Sequence, residues 1–375
     1  MTLDIATCLP VDWTKASLVG RVWLPAVEGP SVVKVTEAGV FDITKAAPTV
    51  SDLCNDADPL KRFRAATGPS LGSVAEILAN SEAGSIDAKK PSFLAPIDLQ
   101  AVKASGVTFV SSMLERLVEE QAKGDPTKGD AIRAEIQREI GTSLKALKPG
   151  SEEAMRLKEL LIKKGRWSQY LEVGIGPDAE IFTKCPPMAS VGVGAEIGMV
   201  VSAAGRIVGA SLGNDVNLRD VEGRSGLLLG KAKDQNASSA IGPFVRLFDE
   251  GYTLDDLRNT VVELRVDGPD QFVMKGASSV AEISRDLTDL VGQLLNPNHQ
   301  YPDGVCLYSG TMFAPTQDRS KPGLGFTHEF GDIVTIRAER LGALVNRVAP
   351  TDRAPPWTFG TSALMRNLAK RGLLG

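Results

Sequence analysis

From Tyr170 onward the chain is a succession of short apolar or alternating runs, and this pattern constrains its fold more than any other feature. Each run is separated from the next by Gly, Pro or Asp. The runs are LEVGIG, EIFTK, RIVGASLG, TVVELRVDG, GVCLYSG, DIVTIRAE and ALVNRV. Short strands at this density predict a mainly antiparallel β-structure, either a sandwich or a closed roll. Helices are predicted for SVAEISRDLTDLVGQLL, which interrupts the strands, and for TSALMRNLAKRGL at the end.

The first half of the chain is richer in helical patterns. Two β-type segments lie within residues 17–44, and Ser73 with Glu76 then fits a capping box. Residues 109–164 repeat apolar positions at helical spacing, and the polar run 80–96 is typical of a linker. We therefore predict an α+β protein with a small N-terminal α/β domain at 1–90. The larger domain, 91–375, carries a helical insertion at about 110–165.

Composition and charge argue against several classes of protein. The chain has 375 residues, of which 43% are hydrophobic and 23% charged, and its net charge is −4, so nucleic acid is not an expected partner. No window approaches the roughly 20 apolar residues that a membrane span requires, and MTLDIATCLPVDW does not have the pattern of a signal peptide. The four cysteines lie far apart, which favours free thiols in the cytoplasm over a zinc, iron–sulfur or disulfide framework.

The stretch GASLGNDVNLRDVEGRS (209–225) raises a chemical question, because an apolar strand ends there in a group of charges. A carboxylate at the mouth of a strand, Asp215, is well placed to hold Mg²⁺, which prefers oxygen ligands. A nearby lysine, Lys231 or Lys233, is a candidate base. The alternative interpretation is a plain i,i+4 ion pair between Asp215 and Arg219 on a helical turn. Spacing alone does not decide between the two.

Other candidates are weaker on the sequence alone. Glu180 in EIFTK is functional if it points inward, and the alternation of the run leaves its direction open. Glu115 in MLERLVEE is more typical of a solvated helix residue. His299 and His328 lie in polar, loop-like settings, and no Ser or Cys has the context of a nucleophile elbow, so no catalytic triad is predicted. The glycine-rich VGVGAEIG lacks the strand–helix frame of a dinucleotide-binding loop.

Several motifs, in the order EIFTK, VGVGAEIG, GASLGNDVNLRDVEGRSGLLLGKAKDQNAS, IGPF and YPDGVCLYSGTMF, resemble the fumarylacetoacetate hydrolase superfamily. The longer segments WSQYLEVGIGPDAEIFTK, NDVNLRDVEGRS, ISRD and WTFGTSALMRNL are similar to one branch, the bacterial 2-keto-3-deoxy-D-pentonate (2-keto-3-deoxy-D-xylonate) dehydratases. The resemblance implies a small N-terminal domain and a C-terminal mixed β-roll with a divalent metal, Mg²⁺ or Mn²⁺. It also implies a homodimer or homotetramer.

The resemblance assigns roles to individual residues. It implies that Asp215 is a metal ligand, that Lys233 and Glu180 act in catalysis, and that Thr311 contacts the substrate carboxylate. Phe109 and Ser112 stand where the superfamily usually has Tyr and His, while Glu115 is retained. The complete expectation is a catalytic set of Lys233, Glu180 and Glu115, substrate contacts from Thr311, Ser112 and Arg219, and Asp215 as the metal ligand.

One departure from the family pattern concerns the metal. The family places a Glu-x-Glu pair on a strand between the VGVGAEIG loop and the strand that leads to Asp215. Here Gly198 is followed directly by MVVSAAGRIVGASLG, without a Glu-x-Glu. We therefore expect part of a strand to be missing, and Glu196 to lie in the flanking loop and to match neither glutamate. Metal binding by one carboxylate is expected to be weak or absent.

The resemblance implies the elimination of water from a 2-keto-3-deoxy sugar acid to give 2,5-dioxopentanoate. Lys233 is expected to remove a C3 proton and Glu180 to assist the departure of the C4 hydroxyl group. Two alternatives stay open. One is a C–C hydrolase of a diketo acid, and the other is a metal-free, inactive homologue that serves as a structural or binding subunit.

Overall fold

The protein is described by a computed structural model over residues 3–82, 84–122, 129–136, 147–185, 195–222, 224–312, 317–319 and 326–374. The strands are β1 Leu18–Leu24, β2 Gly29–Thr36, β3 Gly39–Asp42, β4 Ser70–Gly72, β5 Ser92–Leu94, β6 Ala101–Ser105, β7 Ile181–Thr183, β8 Ala195–Val201, β9 Ile207–Asp215, β10 Ser239–Leu247, β11 Val261–Asp267, β12 Val273–Ser279, β13 Val305–Tyr308, β14 Ile333–Ala338 and β15 Gly342–Arg347. The helices are α1 Ile5–Cys8, α2 Val50–Cys54, α3 Pro59–Ala65, α4 Val74–Ala79, α5 Val110–Ala122, α6 Gly129–Ile136, α7 Glu152–Lys163, α8 Gln169–Ile175, α9 Arg219–Glu222, α10 Leu229–Lys233, α11 Leu254–Arg258, α12 Leu287–Leu294 and α13 Thr361–Lys370.

The strands form two sheets, and nearly all neighbours are antiparallel. The larger sheet has the order β4-β3-β2-β1-β10-β9-β8-β13-β6-β7, with β5 beside β1, and the smaller sheet has the order β12-β11-β14-β15. Within the described strands, the parallel pair is β13 with β6. The predicted mixture of helices with a mainly antiparallel β-structure is confirmed.

The two faces of β8 and β9 contact different parts of the protein, because successive side chains on a strand point in opposite directions. Ile197 and Leu212 belong to the core that the larger sheet shares with Leu264 and Ile336 of the smaller sheet. Asn214 also points toward the smaller sheet, since its Nδ2 donates to Asn346 Oδ1 at 2.9 Å. The next residue of β9, Asp215, therefore points to the opposite face, away from the smaller sheet.

The helical insertion has a core of its own. Buried residues of α5, α6, α7 and α8 pack together there: Met113, Leu117, Val118, Ile136, Leu161, Leu171 and Ile175. The predicted start of α7 is confirmed, because Ser151 accepts a hydrogen bond from the Ala154 backbone and acidic residues occupy the first turn. The capping box of Ser73 and Glu76 at α4 is confirmed as well.

One sequence prediction of secondary structure is wrong, and a second is confirmed only in the C-terminal half of its run. LEVGIG, predicted as a strand, lies in α8, where Ser168 caps the helix and Leu171 and Ile175 are one turn apart in the insertion core. The run SVAEISRDLTDLVGQLL becomes helical only at Leu287, where Asp286 caps α12 by accepting from the Thr288 backbone. In both runs the periodicity was ambiguous, and the side-chain caps determine where the helix begins.

The N-terminal strands belong to the same sheet as the later strands. In β1, Leu18 and Val19 pair with Arg246 and Val245 of β10, and Arg246 Nη1 lies 2.6 Å from Asp12 Oδ1. The domain boundary near residue 90 stays a prediction. No helix within the described residues combines the length and the apolar character needed to cross a membrane.

Candidate active site

Asp215 is the last residue of β9 and is 5% exposed. Its Oδ1 lies 2.6 Å from Lys184 Nζ, and its Oδ2 lies 2.7 Å from Lys233 Nζ. Asp215 therefore lies on a strand, not on the helical turn that an i,i+4 pair with Arg219 requires. Arg219 begins the short helix α9, and its side chain lies outside the described part of the chain.

The two lysines change the proton affinity of Asp215. Burial alone would raise the pKa of the Asp215 carboxyl, but Lys233 and Lys184 outweigh burial and hold this pKa below its usual range. Burial would likewise lower the pKa of Lys233, but the Asp215 carboxylate raises it above the ordinary value. Asp215 and Lys233 are thus an ionised pair inside the protein.

Lys184 is a site residue that the sequence analysis did not single out. It follows β7, its side chain is fully buried, and its Nζ donates to the Val216 carbonyl at 2.6 Å as well as facing Asp215. Burial lowers the pKa of Lys184 even though Asp215 opposes this shift. The alternation of EIFTK contained the signal, because Glu180 and Lys184 are four residues apart on a strand and share one face.

Phe182 lies on the same face as Glu180 and Lys184. Its ring centroid is 4.8 Å from Lys233 Nζ, which is the geometry of a cation–π contact. The sequence left the direction of the EIFTK side chains open, and the structure turns Glu180, Phe182 and Lys184 toward Asp215. The short strand β7, with the residue before it and the residue after it, therefore supplies three neighbouring side chains of one site.

Glu180 points into this site. Burial raises the pKa of its carboxyl, Lys233 lowers it, and Glu222 and Asp215 raise it further. The Glu180 carbonyl accepts a hydrogen bond from the Gly106 backbone at 2.9 Å. A Cβ at Gly106 would overlap Glu180 Oε2, so glycine is needed there for the carboxyl to fit. A buried carboxyl with a raised pKa is suited to donating a proton.

The structure corrects the expected position of Glu196. It lies on strand β8, not in a loop, it is 0% exposed, and it opposes Gly213 on β9. Because Asp215 is two residues beyond Gly213, the side chains of Glu196 and Asp215 project from the same face of neighbouring strands. Burial, together with the Asp215 charge, raises the pKa of Glu196 well above its usual range.

The expectation that part of a strand is missing relative to the family pattern stays a prediction, and the strand that is present is paired on both sides. Strand β8 runs from Ala195 to Val201, pairs with β9 along this length, and pairs with β13 from Gly198 to Val201. Its backbone is thus satisfied by two neighbours. The glycine-rich segment before β8, residues 186–194, lies outside the described residues.

The donor chemistry of the site fits a divalent cation held by two protein carboxylates. Among the described residues, no three His, Cys, Asp or Glu side chains converge on one metal position. Mg²⁺, however, is commonly bound by one or two carboxylates together with water and substrate oxygens. The mutually interacting groups are the carboxyls of Glu180, Glu196, Asp215 and Glu222 and the ammonium groups of Lys184 and Lys233. The carboxyls outnumber the ammonium groups, and a bound cation would reduce the repulsion between carboxylates that contributes to the raised pKa of Glu180 and Glu196.

Thr311 lies on the loop after β13, where it is close to the side chain of Glu196. The Gly310 backbone donates to Glu196 Oε2 at 2.9 Å, and Thr311 Oγ1 is 3.5 Å from Glu196 Oε1. Ser112, on α5, donates its hydroxyl to the Thr311 carbonyl at 2.9 Å. The structure therefore brings Thr311 to the site and places Ser112 behind it.

Glu115 is one turn after Ser112 on α5. Both of its carboxylate oxygens pair with Arg133 of α6, at 2.8 Å each. This bidentate pair joins two helices of the insertion. A catalytic role for Glu115 stays a prediction.

Comparisons with known proteins show what this chain is similar to. Residues 189–349 match the family described as fumarylacetoacetate (FAA) hydrolase C-terminal. A probable 2-keto-3-deoxyxylonate dehydratase of Haloferax volcanii is 27% identical over 193 residues, which cover 48% of this chain and 63% of the relative. A 2-dehydro-3-deoxy-D-arabinonate dehydratase of Saccharolobus solfataricus is 29% identical over 187 residues, covering 45% and 58%. The match thus spans less than two thirds of each curated relative.

Solved structures show the same fold. A 2-keto-3-deoxy-D-arabinonate dehydratase complexed with magnesium and 2,5-dioxopentanoate has a TM-score of 0.59 and 15% identity, covering 88% of this chain and 98% of that one. Its apo form gives 0.58 and 16%, with the same coverage. At this identity the likeness concerns the fold alone, a mixed helix and sheet architecture.

Proposed function

We propose that this chain, whose residues 189–349 match the fumarylacetoacetate (FAA) hydrolase C-terminal family, is a hydro-lyase acting on a 2-keto-3-deoxy sugar acid. The proposed reaction converts 2-keto-3-deoxy-D-pentonate to 2,5-dioxopentanoate. One observation carries the proposal: Lys233 and Glu180, a proton acceptor candidate and a carboxyl of raised pKa, meet around the buried Asp215. Elimination of water needs one group that takes a proton and another that gives one. Both curated relatives are described as dehydratases of this substrate class.

Glu180 is the proposed general acid. Because burial raises the pKa of its carboxyl, the carboxyl keeps its proton to a higher pH than an exposed glutamate does. In the proposed reaction it protonates the C4 hydroxyl group, which leaves as water. The aromatic ring of Phe182, on the same face of the same strand, helps to keep bulk water from this proton transfer.

Lys233 is the proposed base at C3. Its side chain is 10% exposed, whereas Lys184 is 0% exposed, so Lys233 is the lysine that a substrate can reach. Asp215 holds the proton on Lys233. Lys233 can therefore accept the C3 proton only after it has released its own proton to solvent, which requires Asp215 to exchange this ion pair for another partner.

Glu196 and Asp215 are the proposed ligands of Mg²⁺ or Mn²⁺. They are buried oxygen donors on neighbouring strands, in a site with an acidic excess. A bound cation would supply Lewis acidity toward the 2-keto oxygen, which makes the C3 protons more acidic. With two protein carboxylates, we expect weaker metal binding than with three.

Thr311 is the proposed contact of the substrate carboxylate, with Arg219 as a second substrate contact. Ser112 supports Thr311 from behind through the hydrogen bond to its carbonyl. This bond commits the Ser112 hydroxyl proton to the protein, so Ser112 is not free to activate water. Elimination is therefore favoured over the hydrolysis of a C–C bond.

The test is a product assay. Purified protein is incubated with 2-keto-3-deoxy-D-pentonate, with and without Mg²⁺, and the products are weighed by mass spectrometry. The expected product has lost one water. Two shorter fragments from a diketo acid substrate would instead indicate a C–C hydrolase, and unchanged substrate under all conditions would indicate an inactive homologue.

The proposal also covers the cellular compartment, the binding partner and the assembly of the protein. Its four cysteines, Cys8, Cys54, Cys185 and Cys306, are free and buried, which agrees with a reducing cytoplasm. The proposed partner is the small sugar acid, and a homodimer or homotetramer is the proposed assembly.

A further inference from the structure

The tetrapeptide Ile283-Ser284-Arg285-Asp286, named here the ISRD segment, has no part in the chemistry proposed above. It connects β12 to α12. We propose that Arg285 is a positioning residue, which fixes Glu180 for catalysis by holding the backbone that leads into it, while Ser284 fixes the loop of Thr311. This inference rests on the proposed function.

Arg285 donates hydrogen bonds to the backbone segment before Glu180. It is 2% exposed, and its Nη2 donates to three carbonyl oxygens: Gly176 at 2.6 Å, Val173 at 3.2 Å and Asp178 at 3.2 Å. These carbonyls belong to the end of α8 and to the turn that precedes Glu180. Four residues separate Gly176 from Glu180, so displacement of this turn is transmitted directly to the carboxyl.

The charge of Arg285 is compensated away from the site. Its Nη1 lies 3.5 Å from Asp289 Oδ2, and the Asp289 side chain is 49% exposed. Gln293, one turn further along α12, donates to the Pro177 carbonyl at 3.3 Å. Helix α12 thus holds the turn through hydrogen bonds to backbone carbonyls, and the charge of Arg285 is not required at the reacting groups.

Ser284 makes the second contact of the segment. Both its backbone N–H and its hydroxyl donate to the Thr108 carbonyl at 2.7 Å. Thr108 Oγ1 in turn donates to the Ser309 carbonyl at 2.6 Å, next to Gly310, whose N–H donates to Glu196. The ISRD segment therefore reaches both the proposed acid and the loop that carries Thr311.

Positioning matters here because the space around Glu180 is narrow. Its carboxyl fits only because residue 106 is glycine. A displacement of about 1 Å in a reacting group can reduce a rate by roughly 100-fold. Removing the carbonyl contacts of Arg285 is therefore expected to lower kcat more than it changes KM.

The first experiment is a double-mutant cycle. Arg285→Met and Arg285→Lys are each made in the wild-type chain and in Glu180→Gln, and the matched control is Asp289→Asn, which removes only the partly exposed partner. We expect Arg285→Met to lower kcat about 10-fold to 100-fold, to leave KM within about 3-fold, and to change kcat less than about 2-fold in the Glu180→Gln background. Equal losses in both backgrounds would overturn the proposal. Arg285→Lys serves if Arg285→Met does not fold.

The second experiment needs no activity and so separates this inference from the proposed function. Hydrogen exchange is measured on the wild type, Arg285→Lys and Asp289→Asn. Faster exchange is expected in Arg285→Lys at the Gly106 amide, which bonds to Glu180, and in residues 176–183, with β11 and β14 unchanged. If exchange there is unaltered, or rises equally in all strands, the positioning role is wrong even where the dehydratase assay succeeds. If the exchange pattern is as expected and no dehydration occurs, the proposed function fails alone.

Discussion

At Asp215, each carboxylate oxygen faces a different lysine, so loss of either lysine leaves a buried negative charge only half compensated. Lys184 has the larger structural part, because it is fully buried and also donates to the Val216 carbonyl. Lys233 is closer to the accessible side of the site. Access to the substrate, and not the direction of the pKa shift, is what favours Lys233 as the reactive lysine, because the side chain of Lys233 is 10% exposed and that of Lys184 is 0% exposed.

Lys184→Met is expected to lower the free energy of unfolding by about 1–3 kcal/mol, because it removes one partner of a buried ion pair. The low pKa of Asp215 stabilises the fold above the unfolded-state pKa of an aspartate, and this stability is lost as pH falls through the folded-state pKa. The deficit of the variant should therefore be largest near neutral pH and should shrink in acid. Urea unfolding at several pH values measures it, with the exposed Lys163→Met as control. A deficit no larger than that of the control would contradict this account of Asp215.

Glu180 should determine how the reaction depends on pH. As a general acid it acts while protonated, so kcat should be high at low pH and fall as pH rises through a pKa above that of an ordinary glutamate. Glu180→Gln should lower kcat by about 100-fold to 10,000-fold. The pH–rate profile of kcat checks both expectations, and the exposed Glu263→Gln of β11 is the control. A rate that increases through the same pH range would instead make Glu180 a base.

Glu196 should cost stability when it is ionised without a cation. Its folded-state pKa is raised, so its contribution is complete below the unfolded-state pKa and is lost as pH rises through the folded-state value. Glu196→Gln should therefore stabilise the metal-free protein at neutral pH, by about 1.4 kcal/mol for each pKa unit removed. Mn²⁺ should raise the melting temperature of the wild type and have less effect on the variant. A thermal shift that is the same in both proteins would remove Glu196 from the metal site.

Among the elements, the loop after β13 has a strict backbone requirement at Gly310. Gly310 has φ +102°, and a Cβ there would overlap Thr108 Oγ1 and lie 2.6 Å from the Gly106 carbonyl oxygen. The strands of the site and the loop of Thr311 thus meet at a position where only glycine fits.

Gly310→Ala is expected to destabilise the protein by about 1–3 kcal/mol and to reduce activity, because the loop must move away from Glu196. Gly205→Ala is a suitable control: Gly205 also has a positive φ, +76°, but its Cβ would meet nothing within 4 Å. The comparison of kcat and unfolding free energy isolates the effect of crowding from that of backbone conformation. Equal losses in the two variants would mean that the loop contact has no particular importance.

The elements that the sequence predicted well are those with an explicit chemical signal. Ser73 with Glu76, and Ser151 with two glutamates, mark helix starts by their hydrogen-bonding side chains. LEVGIG carried no such signal within the run itself. The cap that starts its helix, Ser168, lies before the run, and the helix packs Leu171 and Ile175 on the insertion core. Tertiary contacts of this kind cannot be read from a short apolar run.

At the scale of the whole molecule, the sequence identified Asp215, Lys233 and Glu180 as site residues but did not identify Glu196 and Lys184. Asp215 could be selected because it lies where an apolar strand ends in charged residues. Lys233 was one of two candidate lysines on the sequence alone and was selected through the family resemblance. Glu196 could not be selected, since its importance depends on β8 becoming the neighbour of β9. Lys184 had only the weaker signal of its position four residues after Glu180 in EIFTK. The pairing of distant strands converts four separated charges into one buried site, and a linear pattern does not contain that information.

The central claim is that the buried site around Asp215 is where a C3 proton and a C4 hydroxyl group leave the substrate. Proton NMR of 2-keto-3-deoxy-D-pentonate in deuterated water, with Mg²⁺, follows both events together. The account predicts deuterium at C3 and formation of 2,5-dioxopentanoate with the wild type, deuterium without elimination with Glu180→Gln, and neither with Asp215→Asn. Undiminished exchange and elimination with a folded Asp215→Asn would contradict it.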